Sequence, residues 1–332
     1  MDATLPTSAQ DVNASPDASG ALPLFESLIA ECRRSEPIPV AVCWPCSGVS
    51  LAGATEAAEA GLILPLLVGS EPQIRAVAAQ AGLNLASYPV IDANSEEEAA
   101  AESARLCRTG QAKALMKGSI HTDLLMRFVV QKESGLRTSR RVSHVFIMEA
   151  PLYAHTLLIT DAAVNIYPTL EEKVDIVQNA IDLAHLLGNQ EPKVAILSAV
   201  ETVNPKIVST LDASALCKMA DRGQITGAVL DGPLAFDTAV SEEAALVKHL
   251  KSPVAGKADI VIVPDLESGN MLAKQLEYLG GARLAGIVLG AKVPIILTSR
   301  ADSAESRVAS CAVACLLAKQ SPRTELQLSE NL

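Results

Sequence analysis

Apolar residues fall in short unbroken runs along this chain, and helical spacing follows most of them. Residues 39–43, Pro-Val-Ala-Val-Cys, read as a first strand buried on both faces. Residues 54–60 read as a helix closed by Gly61. Residues 62–68 form the next strand and 71–81 the next helix, closed by Gly82. Strand, helix, glycine stop and strand is the pattern of βαβ units. A charged, Ala-rich helix over 96–109 precedes a strand over 112–116. Short strands are expected at 145–148 and 157–161. The helix over 170–187 carries Val174, Val177, Ile181, Ala184 and Leu187 at helical spacing and ends at Gly188. Strands at 193–198, 226–230, 259–263 and 293–297 alternate with helices at 213–222, 269–279 and 302–317. The alternation predicts an α/β fold with a largely parallel sheet, and no internal repeat is seen.

Composition sharpens this picture. A chain of 332 residues suits two domains. Hydrophobic residues are 49% and aromatics only 3%, so the core is aliphatic. A net charge of −11 disfavours any broad attraction to nucleic acid or anionic membrane. Cations that hold an anionic ligand must therefore be gathered locally. The seven cysteines are odd in number and irregular in spacing, which predicts reduced thiols in a cytoplasmic protein. Cys43-Trp44-Pro45-Cys46 has C-x-x-C form, but Pro45 and Ser47-Gly48 place it in a loop rather than at a helix start. Residues 1–21 lack Lys and Arg and are expected to form a disordered tail, not a signal peptide. The longest apolar stretch, 284–297, is interrupted by Gly286, Gly290, Lys292 and Pro294, so no membrane span is expected.

The polar clusters lie just after strands, where open α/β sheets form their ligand crevices. One is Thr298-Ser299-Arg300-Ala301-Asp302-Ser303-Ala304-Glu305, leading into a helix. A helix N-terminus favours anions, and Arg300 can clamp a phosphate or an oxyanion. Asp302 with Glu305 also fits a capping box, and Ser303 can itself be the cap. A second cluster is Lys117-Gly118-Ser119-Ile120-His121-Thr122-Asp123, where glycine permits close backbone approach. Its spacing is not that of a P-loop. A third, Arg137-Thr138-Ser139-Arg140-Arg141, is basic. The last two, 231–237 and 264–271, are acidic turns. No Gly-x-Gly-x-x-Gly follows a strand and no Gly-x-Ser-x-Gly occurs, which removes nicotinamide Rossmann and α/β-hydrolase readings.

Six segments together resemble the phosphate acetyl/butyryl transferase family. They are Leu115-Met116-Lys117-Gly118-Ser119-Ile120-His121-Thr122, Arg140-Arg141-Val142-Ser143-His144-Val145-Phe146, Ile159-Thr160-Asp161-Ala162-Ala163-Val164-Asn165, Asp231-Gly232-Pro233-Leu234-Ala235, Val263-Pro264-Asp265 with Ser268-Gly269-Asn270-Met271, and Leu297-Thr298-Ser299-Arg300. They occur in family order across most of the chain. The resemblance implies two three-layer α/β domains of the isocitrate/isopropylmalate dehydrogenase type, with the active-site cleft between them. The first domain would comprise 22–148 and 288–332, and the second 149–287. It further implies reversible transfer of an acetyl or butyryl group between coenzyme A and phosphate. Coenzyme A is then a substrate rather than a cofactor, no metal enters the chemical step, and the chain forms a homodimer or larger homo-oligomer. A free thiol has a pKa of about 8.5, so the CoA thiol needs a base or a stabilised thiolate.

By the same resemblance Ser299 donates to the oxyanion, Arg300 binds phosphate or oxyanion, and Asp302 is a candidate base. The acetyltransferase branch carries an aspartate one turn further along, where this chain has Ser306; the Ser-Arg-Ala-Asp-Ser form is closer to the butyryl branch. Lys117, Gly118, Ser119, His121, Thr122, Arg141, Asp265 and Asn270 are expected to bind CoA or phosphate. Arg127 matches a phosphate-binding arginine of the acetyltransferases, with altered local spacing. The competing reading is a CoA- or nucleotide-binding regulatory module of the same fold without turnover, against which the Ser299-Arg300 pair argues. A metal-dependent dehydrogenase would need clustered aspartates, and Asp231, Asp237 and Asp265 are too dispersed.

Overall fold

The computed structural model describes residues 23–299 and 301–328, with side chains described up to residue 319. The expected tail over 1–21 and the side chain of Arg300 lie outside the described residues. The described residues form eleven strands and eleven α-helices. In chain order these are α1 (Leu24–Arg33), β1 (Ile38–Cys43), α2 (Gly48–Glu59), β2 (Ile63–Gly69), α3 (Glu71–Ala81), β3 (Val90–Asp92), α4 (Glu96–Arg108), β4 (Ala114–Lys117), α5 (Thr122–Val130), β5 (Ser143–Glu149) and β6 (Leu157–Thr160). There follow α6 (Leu170–Leu186), β7 (Lys193–Leu197), α7 (Val208–Asp221), β8 (Val229–Leu234), α8 (Phe236–Val240), α9 (Glu242–Val247), β9 (Ile260–Ile262), α10 (Leu266–Tyr278), β10 (Arg283–Leu289), β11 (Ile295–Ile296) and α11 (Ala304–Leu328).

All eleven strands join one sheet in the order β3-β2-β1-β4-β11-β10-β5-β6-β9-β7-β8. From β3 to β11 the pairings are parallel. From β6 to β8 they are parallel again. Between them β11–β10, β10–β5 and β5–β6 are antiparallel. Three successive reversals make β6 to β8 run opposite to β3 to β11. The carboxyl ends of the two parallel sets therefore lie on opposite edges of the sheet, here called the upper edge (after β1, β4, β11) and the lower edge (after β6, β7, β9).

Strand alternation sorts the helices onto two faces. Val145 and Ile147 of β5, with Ala285 and Ile287 of β10, pack with buried residues of α1, α2, α6, α7 and α11. On the other face Val288 joins Leu125, Met126 and Val129 of α5, beside the buried residues of α4. Farther along that face Phe146, Met148 and Leu284 join Ala273 of α10 and the small residues of α8 and α9. So α5 and α10 share a face, and between their clusters lie Gly286 of β10 and His144 of β5.

The α/β class and most elements agree with the sequence reading, and the differences have local causes. Helix α2 begins at Gly48 rather than 54, because Ser47 accepts the Ser50 N–H and starts the helix earlier. The strand expected at 226–230 is found at Val229–Leu234. Gly232-Pro233 reads as a turn, yet β8 is the sheet's edge strand, where a missing N–H breaks no ladder. Strand β10 was hidden in the 284–297 run, which the turn at Gly290 (φ +84°) divides. Helices α1 and α5 and strand β3 were not anticipated either. At the start of α11, Ser303 accepts the Ser306 N–H at 3.1 Å, so Ser303 is the cap and Asp302 is released for another contact. Among the described residues no helix is long and apolar enough to cross a membrane.

Ile287 is fully buried in β10, paired to Val145 on one side and Ile296 on the other. Ile287→Ala is expected to lower the unfolding free energy by about 2–5 kcal/mol, read from urea midpoints at unchanged slope.

Candidate active site

The upper edge is built by backbone packing. Register pairs Cys43 with Lys117 and Met116 with Ile296, so β1, β4 and β11 end side by side. The Gly118 N–H donates to the Cys43 carbonyl at 2.9 Å, and the Ser119 N–H to the Trp44 carbonyl at 2.8 Å. A Cβ on Gly118 would lie 2.4 Å from the Cys43 oxygen, so this turn requires glycine. Ser119 Oγ meets Ser50 Oγ at 3.1 Å, tying the turn to the first helical turn of α2. Lys117 is buried beside this turn, and with Gly118 and Ser299 it lines a small recess. His121 is the exposed N-cap residue of α5 and Thr122 is its first, half-buried residue. The N-termini of α2 and α5 therefore both open on this edge, and unpaired N–H groups there favour an anion.

The loop after β11 completes the edge. The Ser299 N–H donates to Asp302 Oδ2 at 2.7 Å, and Ser299 Oγ accepts the Ala301 N–H at 3.3 Å. The carboxylate of Asp302 is almost wholly buried, and its Oδ1 lies 3.5 Å from Lys274 Nζ of α10. Arg307 Nη1 donates to the Asp302 carbonyl at 2.6 Å, while Nη2 pairs with Glu56 of α2 at 3.1 Å. Ser306 is buried and its hydroxyl meets Ser303 at 3.0 Å, so that position supplies no carboxylate.

The lower edge carries a cleft of about 640 Å³ lined by Arg127, Arg137, Arg140 and Arg141 with Thr138 and Ser139. Arg141 is oriented by three contacts. Its Nε donates to Asn165 Oδ1 at 2.8 Å, its Nη1 pairs with Glu172 at 2.9 Å, and its own N–H donates to Asp175 at 2.8 Å. Asn165 is in turn held by Asp161, which accepts from Asn165 Nδ2 at 2.6 Å and from the N–H groups of Ala163 and Val164. Burial pushes the Asp161 carboxyl above the usual range, and these donors only partly oppose it. Arg140 pairs with Asp182 at 2.8 Å, and Arg127 lies over the Phe128 ring.

Helix α5 connects the two places. It starts beside Ser119 and ends at the arginine cleft, and its nine residues span about 13 Å. Lys117, Gly118, Ser119, His121, Thr122, Ser299 and Asp302 thus gather at the upper edge, and Arg127 and Arg141 at the lower. Asp265 stands apart: its carboxylate caps α10 by accepting the Ser268 N–H at 2.8 Å. Asn270 donates to the Ala162 carbonyl at 3.2 Å. One turn beyond Asn270 comes Lys274, which the sequence reading did not single out, and an i, i+4 polar pair on a helix carries no signal of its own. The roles of Asn165 and Asp161 as supports of Arg141 were equally unforeseen. Burial pushes Cys43 up to about 12 and Cys46 up to about 11, which suits inert thiols rather than a redox pair. Among the described residues no group of three or more His, Cys, Asp or Glu is arranged to hold a metal ion.

Residues 98–315 match the family model described as phosphate acetyl/butaryl transferase. A phosphate acetyltransferase of Rhizobium meliloti is 58% identical over 294 residues, covering 89% of this chain and 93% of that protein. A phosphate butyryltransferase of Clostridium acetobutylicum is 42% identical over 294 residues, covering 89% of this chain and 98% of that one. Among solved structures, a branched-chain phosphotransacylase from Enterococcus faecalis V583 superposes with a TM-score of 0.74 at 33% identity, covering 85% of this chain and 99% of that one. A 4-hydroxythreonine-4-phosphate dehydrogenase from Klebsiella pneumoniae, at 12% identity and TM-score 0.53, shares the fold alone and covers 85% of this chain and 99% of its own.

Gly118→Ala is expected to destabilise the fold by about 1–3 kcal/mol and to displace the Lys117–Ser119 turn. Gly48→Ala, where a Cβ meets nothing within 4 Å, should leave the thermal midpoint within a degree or two of the parent. Parallel thermal melts of the two variants decide it.

Proposed function

We propose a reaction course for this chain on the premise that it belongs to the phosphate acetyl/butyryl transferase family. It is a phosphate acyltransferase, moving a short acyl group between CoA and phosphate. The observation that carries the course is the arrangement along α5, with an arginine cleft at one end and the Ser119 and Ser299 turns at the other. The phosphates of CoA sit among Arg127, Arg137, Arg140 and Arg141, where a guanidinium can take two phosphate oxygens at once. The pantetheine arm follows α5 for about 13 Å and brings the thiol to the upper edge.

The acyl phosphate lies at the upper edge, its phosphate near Lys117, Gly118, Ser119, His121 and Thr122, and Arg300 is assigned by family resemblance to bind phosphate or oxyanion. The sulfur attacks the acyl carbonyl, forming the S–C bond, and the thiol proton passes to the Asp302 carboxylate. Ser299 donates to the oxyanion, and one such donor contributes about 3 kcal/mol to the transition state. Collapse breaks the C–O bond to phosphate, which departs and recovers the proton. Coenzyme A is a substrate and no metal or resident cofactor enters. Asn270 and Asp265, at the start of α10, are further binding residues for CoA or phosphate.

The chain divides into two domains at residues 148 and 288. The return of β11 beside β4, after the second parallel set is complete, supports this division. The active form is a cytoplasmic homodimer or larger assembly, supported by Val203, Val208 and Leu211, which stand exposed on and just before α7. The acyl group is acetyl, supported by the greater identity to a named acetyltransferase than to a named butyryltransferase.

Mixing the protein with CoA and acetyl or butyryl phosphate, without added metal, should raise thioester absorbance, with kcat/KM higher for the acetyl donor. CoA binding without thioester from either donor would contradict the course and indicate a non-catalytic module. Ser299→Ala should lower kcat about 100- to 1,000-fold. Arg141→Ala should instead raise KM for CoA, and the same KM should change little on exchanging CoA for its 3′-dephospho form in that variant if Arg141 holds that phosphate.

A further inference from the structure

The Ser299–Asp302 turn is gripped by cations from two different helices. Arg307 belongs to α11, the helix that this turn itself begins, and is packed so closely that a Cβ on Gly53 would lie 2.5 Å from its Cδ. It holds the Asp302 carbonyl and Glu56, and leaves the Asp302 carboxylate untouched. Lys274 comes from elsewhere. Helix α10 begins at the lower edge after β9 and rises on the same face as α5. Lys274, its ninth residue, stands about 12 Å along it, close to the upper edge. There Nζ donates to Glu277 at 2.8 Å and reaches Asp302 Oδ1 at 3.5 Å, with the Tyr278 ring centroid 5.5 Å away.

The surroundings keep this contact simple. His144 lies nearby on β5, fully buried, edge-on to Phe146 at 4.4 Å, and neither ring nitrogen has a hydrogen-bond partner among the described residues. Burial, with the charge of Lys274, pushes its pKa down to about 3, so the ring is neutral and puts no second cation beside Lys274. Burial lowers the Lys274 pKa, but the Glu277 hydrogen bond and the Asp302 charge outweigh it, and the net direction is upward. The ammonium thus persists through the neutral range. Of its two carboxylate partners, Glu277 lies on its own helix, whereas Asp302 lies on the turn that also carries Ser299.

We propose that Lys274 is a positioning residue for acyl transfer that acts through Asp302: from α10 its ammonium holds Oδ1 while Oδ2 holds the Ser299 N–H, and so it fixes the turn that presents Ser299 to the reacting groups. This rests on the reading of the Ser299 turn as the transfer site. A buried carboxylate without its cation loses a large part of what compensates its desolvation, and turns away from a geometry that tolerates little error. A displacement of about 1 Å in a reacting group can cost about 100-fold in rate.

The test is a double-mutant cycle on turnover, with thermal midpoints recorded alongside. Lys274→Gln should lower kcat about 10- to 100-fold with KM for CoA within about twofold, since the arginine cleft is untouched. Lys274→Arg should restore most of the loss. The Lys274→Gln/Asp302→Asn double variant should be about as slow as Asp302→Asn alone, because both changes break one contact. Should Lys274→Gln lose its fold, Lys274→Met keeps the aliphatic stem against Tyr278 and carries the same comparison. Parental turnover in Lys274→Gln, or losses that multiply in the double variant, would overturn the role of Lys274. Full activity in Ser299→Ala would instead overturn the site reading on which it rests.

Discussion

Three antiparallel pairings at the centre of the sheet, β11–β10, β10–β5 and β5–β6, set the geometry of everything else. A uniformly parallel sheet would place all its carboxyl ends, and all the helix N-termini that follow them, on one edge. Here the reversals put one set after β1, β4 and β11 and the other after β6, β7 and β9. A ligand that uses both must run along the sheet face rather than sit at one crevice. Helices α5 and α10 lie on that face in opposite senses, the first leading from the Ser119 turn to the arginines and the second bringing Lys274 back to Asp302. An elongated substrate with phosphates at one end and a thiol at the other fits such a path.

Charge is arranged on the same lines. The chain is strongly acidic overall, yet four arginines gather around one cleft. Two of them are paired with carboxylates at the rim, Arg141 with Glu172 and Arg140 with Asp182. Exposed pairs of this kind contribute about 0–1 kcal/mol, so a phosphate can replace a carboxylate at small cost. The pairs already restrain these two guanidiniums, and a restrained group loses less freedom on binding. At the upper edge the contacts are tighter and buried. The Gly118 turn lies against main-chain carbonyls, and Asp302 is enclosed between Ser299 and Lys274.

Much of this was legible in the sequence because short apolar strands announce themselves, and because the polar segments after them are contiguous. The turns at Lys117–Ser119 and at Ser299–Asp302 stand out as polar segments directly after strands, and with the other segments their order resembles one family. What stayed hidden depends on distance in space. Nothing local marks Lys274 as the partner of Asp302, 28 residues away, or Asn165 as the support of Arg141, 24 residues before it. Asp265 reads as a ligand-binding acid, and only the structure shows that its Oδ1 also caps α10. Gly232-Pro233 reads as a turn, and only the sheet order shows an edge strand that tolerates it. His144 carries no signal of burial beyond its apolar neighbours in β5.

The central claim is that one CoA molecule engages both edges through the length of α5. Backbone amide exchange, followed by mass spectrometry with and without saturating CoA, addresses it directly. Slowed exchange in both the 137–142 segment and the 117–122 segment is the predicted result. Protection confined to either segment alone would contradict a ligand that spans the two.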